Sequence, residues 1–205
     1  MNQQKFNLMQ EGGKHLGLIK NQLAKEIKVG VTPLEIDALA DKLLAKSGDG
    51  ASFKTVPNYH FATCINVNDA VVHGIPNNRP FKGGDLVTLD IGLIHKLWHL
   101  DTSLTLQIPP LDSKVTHFLE IGPIAVSEAI KQAKVGNTIY DISKAMQTVV
   151  ESSGYSVIRD LTGHGIGREL HEDPFIPCYA DPKYKSIPIK VGQALAIEVM
   201  YTMGS

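Results

Sequence analysis

Leu86-Val-Thr-Leu-Asp-Ile-Gly92 and Trp98-His-Leu-Asp-Thr-Ser103 decide how this chain folds. In both stretches apolar residues alternate with small or polar ones at period two, the pattern of half-buried strands. Only a few residues separate them, so they pair as an antiparallel hairpin. With His95-Lys96 as a two-residue turn, Ile94 faces Leu97 and Asp90 faces Asp101. Opposed side chains stand roughly 4.5–5.5 Å apart at Cβ, and like charges there repel. A cation held between the two carboxylates relieves that repulsion; a solvated acidic pair on an exposed face is the alternative.

Working outward from the hairpin, the chain repeats itself. Val29-Gly-Val-Thr-Pro-Leu-Glu-Ile36, closing at Ser47-Gly48, returns as Val135-Gly-Asn-Thr-Ile-Tyr-Asp-Ile142, closing at Ser153-Gly154. Each copy opens as a helix should. Thr32 is an N-cap with Pro33 behind it and Glu35 completing a capping box, and Thr138 with Asp141 is a weaker version. Each ends on glycine, the residue suited to the left-handed turn past a helix. Longer helical patterns, Leu8–Ile27 and Thr116–Ala133, precede the two copies. The repeat reaches the strands, where Lys82, Gly84 and Asp90 correspond to Lys190, Gly192 and Glu198, so an acid ends the same strand in both halves. Duplication explains these matches better than chance, with halves at roughly 8–112 and 116–205. Two halves related by a pseudo-twofold axis bring both acid-bearing hairpins to a shared centre. Asp101 carried across the repeat falls past Ser205, so the chain is expected to stop inside its second hairpin.

Composition sets the outer bounds. The 205 residues suit a single domain with a real core. At 43% hydrophobic and 20% charged residues, the chain reads as a soluble globular protein. A net charge of −1 gives no reason to expect a nucleic-acid or membrane surface. Neither a signal-like N-terminus nor a spanning apolar run is present. Cys64 and Cys178 are the only cysteines, which points to a reducing cytoplasm and not to a disulfide scaffold.

Three histidines sit in glycine- or proline-rich turns. Thr162-Gly-His-Gly-Ile-Gly167 follows a strand predicted over Ser156–Leu161, and glycine on both sides lets His164 reach an interior site from a short loop. Leu170-His-Glu-Asp-Pro174 supplies His171, and Val71-Val-His-Gly-Ile-Pro76 supplies His73. A lone histidine beside glycine is more often structural, but three of them alongside paired acids point to a site. Oxygen-rich sites completed by one imidazole suit Mn²⁺, Fe²⁺, Co²⁺ or Zn²⁺.

Taken together, Val72-His-Gly-Ile-Pro76, Leu89-Asp-Ile91, Leu100-Asp-Thr-Ser103, Gly163-His-Gly-Ile-Gly167, His171-Glu-Asp-Pro174 and Ala196-Ile-Glu198 resemble the type I methionine aminopeptidases of the pita-bread metallopeptidase family. The likeness runs from the first helix to the last residue. It implies an α/β (α+β) fold with two related halves, a curved antiparallel sheet and outer helices. It also implies removal of N-terminal methionine from peptides and nascent proteins; a monomer in the cytoplasm is expected. By that likeness Asp90, Asp101, His164 and Glu198 hold two divalent ions (Co, Mn, Fe or Zn). The same likeness puts His73 and His171 against the substrate and Tyr59, Cys64 and Leu170 near the methionine pocket, and Glu198, a carboxylate touching bound water, is the expected proton shuttle. Leu100, Val199 and Leu170 stand where the family commonly has glycine, proline and an aromatic residue, differences that bear on pocket shape and not on the ligands. The family's fifth ligand, a bridging glutamate, lies on a final strand beyond Ser205. An Xaa-Pro aminopeptidase and a non-catalytic pita-bread binding module are the alternative readings.

Overall fold

The protein is described here by a computed structural model covering residues 3–204. It divides into two compact units, one running up to Ser113 and taking in Gly167–Leu170, the other comprising Lys114–Ile166 and the chain from His171 on.

The N-terminal unit begins with helices α1 (Gln3–Glu26) and α2 (Pro33–Ser47). The Thr32 hydroxyl accepts from the Glu35 N–H and the Glu35 carboxylate accepts from the Thr32 N–H, so the predicted capping box starts α2. Gly48, at φ 77°, ends it in the left-handed conformation. Strands β1 (Gly50–Ala51) and β2 (Thr63–Val67) follow one another along one edge of β3 (Leu86–His95), and β4 (Trp98–Gln107) takes the other edge; all pairs are antiparallel. Along β3 the odd-numbered Val87, Leu89, Ile91 and Leu93 are fully buried under Leu16, Ile19 and Leu23 of α1 and Ile36, Ala40 and Leu44 of α2. The helical spacing of those six residues aims one stripe of each helix at the sheet. Each such aliphatic side chain contributes about 1.5–3 kcal/mol by leaving water.

The hairpin forms, but with a different register from the one the sequence suggests. His95 pairs with Trp98, and the turn residues are Lys96 and Leu97, both left-handed at φ 49° and 73° as a type I′ turn requires. Asp90 therefore faces Ser103, and Asp101 faces Gly92. The cause is His95, which is buried with Nδ1 2.6 Å from Asp49 Oδ1 and so is held as the last strand residue, moving the turn one residue on.

The C-terminal unit contains α3 (Ser113–Gln132), whose first residue belongs to the N-terminal unit, and α4 (Ile139–Ser152), opened by the Thr138–Asp141 capping box. Its strands are β5 (Ser156–Val157), β6 (Thr162–Gly165), β7 (Glu172–Pro177), β8 (Leu195–Ala196) and β9 (Tyr201–Thr202). Central β6 pairs with β7 and β8, and β5 pairs with β9. Ile139, Ile142 and Met146 of α4 pack on Ile176 and Ile189, and Val150 packs with Ile121, Ala125 and Val157. Two expectations need correction. The strand predicted over 156–161 lasts only two residues, because the chain bends at the charged pair Arg159-Asp160. Asp90 does not end its strand but sits midway along β3, while Glu198 lies two residues past β8.

Within α3, the Tyr201 hydroxyl donates to the Phe118 carbonyl at 2.6 Å and accepts from the Gly122 N–H at 3.0 Å. It thus bridges an i, i+4 pair of the helix just before Pro123. Tyr201→Phe should cost about 1–3 kcal/mol, since two buried backbone groups lose their partner. Urea unfolding of the two proteins measures it.

No helix among the described residues is long and apolar enough to cross a membrane.

Candidate metal and substrate site

The parity of β3 places its even-numbered residues, Asp90 among them, on the face turned away from the α1–α2 core. Asp101, opposite Gly92, shares that face. The two acids are diagonal neighbours, a separation of about 7–8 Å, instead of directly opposed. A register slip of two residues preserves the face of a side chain, whereas a slip of one would have sent Asp101 to the other side. Gly92 keeps the neighbourhood tight. A Cβ there would lie 2.7 Å from the Ser52 Cβ and the Phe53 Cε1, so only glycine lets that loop approach β3 so closely.

Cys64 faces Asp90 across the β2–β3 ladder and so stands on the same face as the two acids. Its Sγ lies 3.2 Å from the Tyr59 hydroxyl, which donates to the Thr63 carbonyl at 2.7 Å. Burial, joined by the charges of Asp90, Asp101 and Asp37 and opposed by the Tyr59 hydrogen bond, pushes the Cys64 thiol up to about 11. It is therefore a small apolar wall at neutral pH and not a thiolate nucleophile. Asp37 of α2 anchors this corner by accepting from the Ala62 and Thr63 N–H groups at 2.9 Å each.

His73 is exposed and adopts a left-handed backbone at φ 56°, unusual for a residue with a side chain. The loop around it is clamped to β2. The Ile65 N–H donates to the Gly74 carbonyl, the Gly74 N–H donates to the Asn66 side chain, and a Cβ on Gly74 would lie 2.2 Å from the Ile65 carbonyl oxygen. A strained, well-clamped residue of this kind is a mark of functional sites.

In the C-terminal unit His164 sits in the middle of β6 and not in a loop after a strand. The flanking glycines have a packing cause. A Cβ on Gly163 would meet the Ala196 carbonyl oxygen at 2.4 Å, and one on Gly165 the Asp173 carbonyl oxygen at 2.4 Å, so the strands on either side of β6 approach it closely. His164 is buried, with Nδ1 2.8 Å from the Gly165 carbonyl oxygen. A carbonyl only accepts, so Nδ1 carries a proton, which leaves Nε2 as the ring nitrogen that can bind a metal. That Nε2 lies 3.6 Å from Oε1 of Glu198, whose side chain is 36% exposed. The exposed His171 packs its ring edge-on against His164 at 4.5 Å between centroids. Gly163→Ala should destabilise by about 1–3 kcal/mol through overpacking. A thermal melt should read this as a fall of about 2–12 °C.

Gly167–Leu170, the segment between these two histidines, belongs to the N-terminal unit. The His99 N–H donates to the Gly167 carbonyl, Arg168 stacks over Trp98, and Leu170 is buried. The structure thus brings Asp90, Asp101, Cys64 and Tyr59 together in one unit, and His164, Glu198 and His171 together in the other.

One cluster escaped the sequence reading. His15, Asp49 and His95 meet on the opposite side of the N-terminal sheet from Asp90, with each residue offering a ligand atom within 4.8 Å of the others. Its members are 34 and 46 residues apart in sequence, and no local motif announces them.

The model of metallopeptidase family M24 matches residues 7–204. Methionine aminopeptidase 1 of Bacillus subtilis is 36% identical over 200 residues, covering 98% of this chain and 80% of that protein. The methionine aminopeptidase of Clostridium perfringens is 36% identical over 204 residues, covering 100% and 82%. The crystal structure of the Thermotoga maritima methionine aminopeptidase superimposes with a TM-score of 0.94 at 34% identity, covering all of this chain and 82% of that one. The mixed α/β pita-bread fold expected from the sequence is the fold adopted.

Proposed function

Since the chain belongs to metallopeptidase family M24, we propose that Asp90, Asp101, His164 and Glu198 hold two divalent ions. The protein is a metal-dependent aminopeptidase that removes N-terminal methionine. Two separate observations support the ligand assignment: the same-face carboxylates Asp90 and Asp101, and His164, whose Nδ1 is taken by the Gly165 carbonyl so that Nε2 is left to bind. Two carboxylates sharing one face repel, and a divalent cation held between them converts that repulsion into attraction. A histidine whose other ring nitrogen donates to a carbonyl is the usual form of a metal ligand. This oxygen-rich donor set with one imidazole fits Mn²⁺, Fe²⁺, Co²⁺ or Zn²⁺.

When bound, such ions polarise a peptide carbonyl and acidify water. Glu198, partly open to solvent, accepts the proton released from the attacking water and passes it to the departing amine. His171 and His73 orient the scissile amide and donate to the oxygen or nitrogen on which charge develops. Tyr59, the neutral Cys64 and Leu170 line the pocket for the unbranched, polarisable methionine side chain. The substrates are N-termini of peptides and nascent chains, met by a monomer in the cytoplasm. The two buried free thiols accord with that reducing compartment.

Hydrolysis of a Met-Ala-Ser peptide and of an Ala-Pro peptide tests this reading. Cleavage of the first should stop on treatment with EDTA and return with Mn²⁺ or Co²⁺, while the Ala-Pro bond stays intact. Preferential cleavage of Ala-Pro, or no cleavage of either with metal added, would overturn it.

A further inference from the structure

We propose that a divalent transition-metal ion such as Zn²⁺ binds at His15, His95 and Glu11, with the buried Asp49 carboxylate orienting both rings, at a site separate from Asp90 and Asp101.

The elements supply these groups in a simple way. Glu11 and His15 lie one turn apart on α1 and so share a face. Asp49 follows α2, and His95 closes β3 on its helix-facing side. Gly12 admits the close approach, since a Cβ there would lie 2.7 Å from the His95 Cβ.

Asp49 has no side-chain exposure and divides its two oxygens between the rings, with Oδ2 2.7 Å from His15 Nδ1 and Oδ1 2.6 Å from His95 Nδ1. Burial opposes its ionisation, but hydrogen bonds from Ser47, His95 and His15 outweigh that and hold the carboxyl below its ordinary range. A carboxylate accepts these hydrogen bonds, so both Nδ1 atoms donate and Nε2 is the nitrogen each ring can offer to a metal. A carboxylate behind the imidazole in this way is the usual support of a metal-bound histidine.

The His95 ring adds a second, independent sign. Its Nε2 is buried and makes no hydrogen bond, yet lies 3.4 Å from Glu11 Oε2. Two ligands of one tetrahedral ion with bonds of ~2 Å stand about 3.3 Å apart. Imidazole and carboxylate together suit zinc and its neighbours. The cluster is also separate from the site proposed above. His95 is five residues beyond Asp90 on the same strand, about 16 Å away, and the odd spacing puts it on the other face of the sheet.

Zinc content of the full chain after desalting, together with histidine ring-proton NMR during Zn²⁺ addition, tests the proposal. His15→Ala should hold one zinc equivalent fewer than the unsubstituted chain, and that difference should persist when Asp101 is replaced by Asn. The ring protons of His15 and His95 should shift on addition of stoichiometric Zn²⁺ to the unsubstituted chain. That measurement decides alone if the variant does not fold. Unshifted ring protons and equal zinc content would reduce the cluster to a hydrogen-bonded polar latch and overturn the proposal.

Discussion

Asp101→Asn should lower methionine-peptide hydrolysis by at least about 10³-fold and remove at least half of the tightly bound metal. The substitution keeps side-chain size and deletes one negative charge from a face that already carries Asp90. An amide is a far weaker ligand for a hard cation than a carboxylate. The polarisation of carbonyl and water supplied by bound ions is worth several kcal/mol of barrier, and each 1.36 kcal/mol is about tenfold in rate. Because Asp101 faces Gly92 and not a bulky residue, asparagine fits without repacking. Far-ultraviolet circular dichroism should therefore match the parent. Steady-state kinetics with Mn²⁺ or Co²⁺ and elemental analysis provide the measurement. A variant with near-parent activity and full metal would remove Asp101 from the ligand set.

His171→Ala should behave differently, with kcat falling about 10²–10³-fold, the usual cost of deleting one donor to developing charge, while metal content stays within error of the parent. The ring of His171 rests on the edge of His164 without lying on the same strand, and it is exposed, so its removal leaves β6 and the His164 Nδ1–Gly165 hydrogen bond in place. In its proposed role His171 acts on charge that appears only in the transition state, so KM should change far less than kcat. A parallel loss of metal and activity would make His171 a support of the metal site instead of a substrate contact.

Much of this is legible in the sequence. The alternation in 86–92 and 98–103 fixes which residues share a sheet face, and that parity survived an error in the register itself. Thr32, Glu35 and Gly48 bracket α2 as expected, because caps are made by residues three or four apart. The length of the strand after α4 was not legible. Its partner, β9, lies more than 40 residues away in sequence and offers only two residues for pairing. His164 also misled. Gly-His-Gly reads as a loop by propensity, but the glycines serve a central strand whose neighbours press backbone against backbone.

By itself the sequence determined the four helices, the capping boxes that start α2 and α4, the central hairpin and the chemical types gathered in the motifs. All of these depend on residues near one another along the chain, where spacing alone dictates geometry. Tertiary structure decided the hairpin register, the reason for Gly163 and Gly165, and the meeting of His15, Asp49 and His95. Each depends on partners brought together from distant positions. A turn at Lys96-Leu97, with no glycine to favour it, is selected because a buried His95 gains a buried aspartate, and no local pattern encodes that exchange.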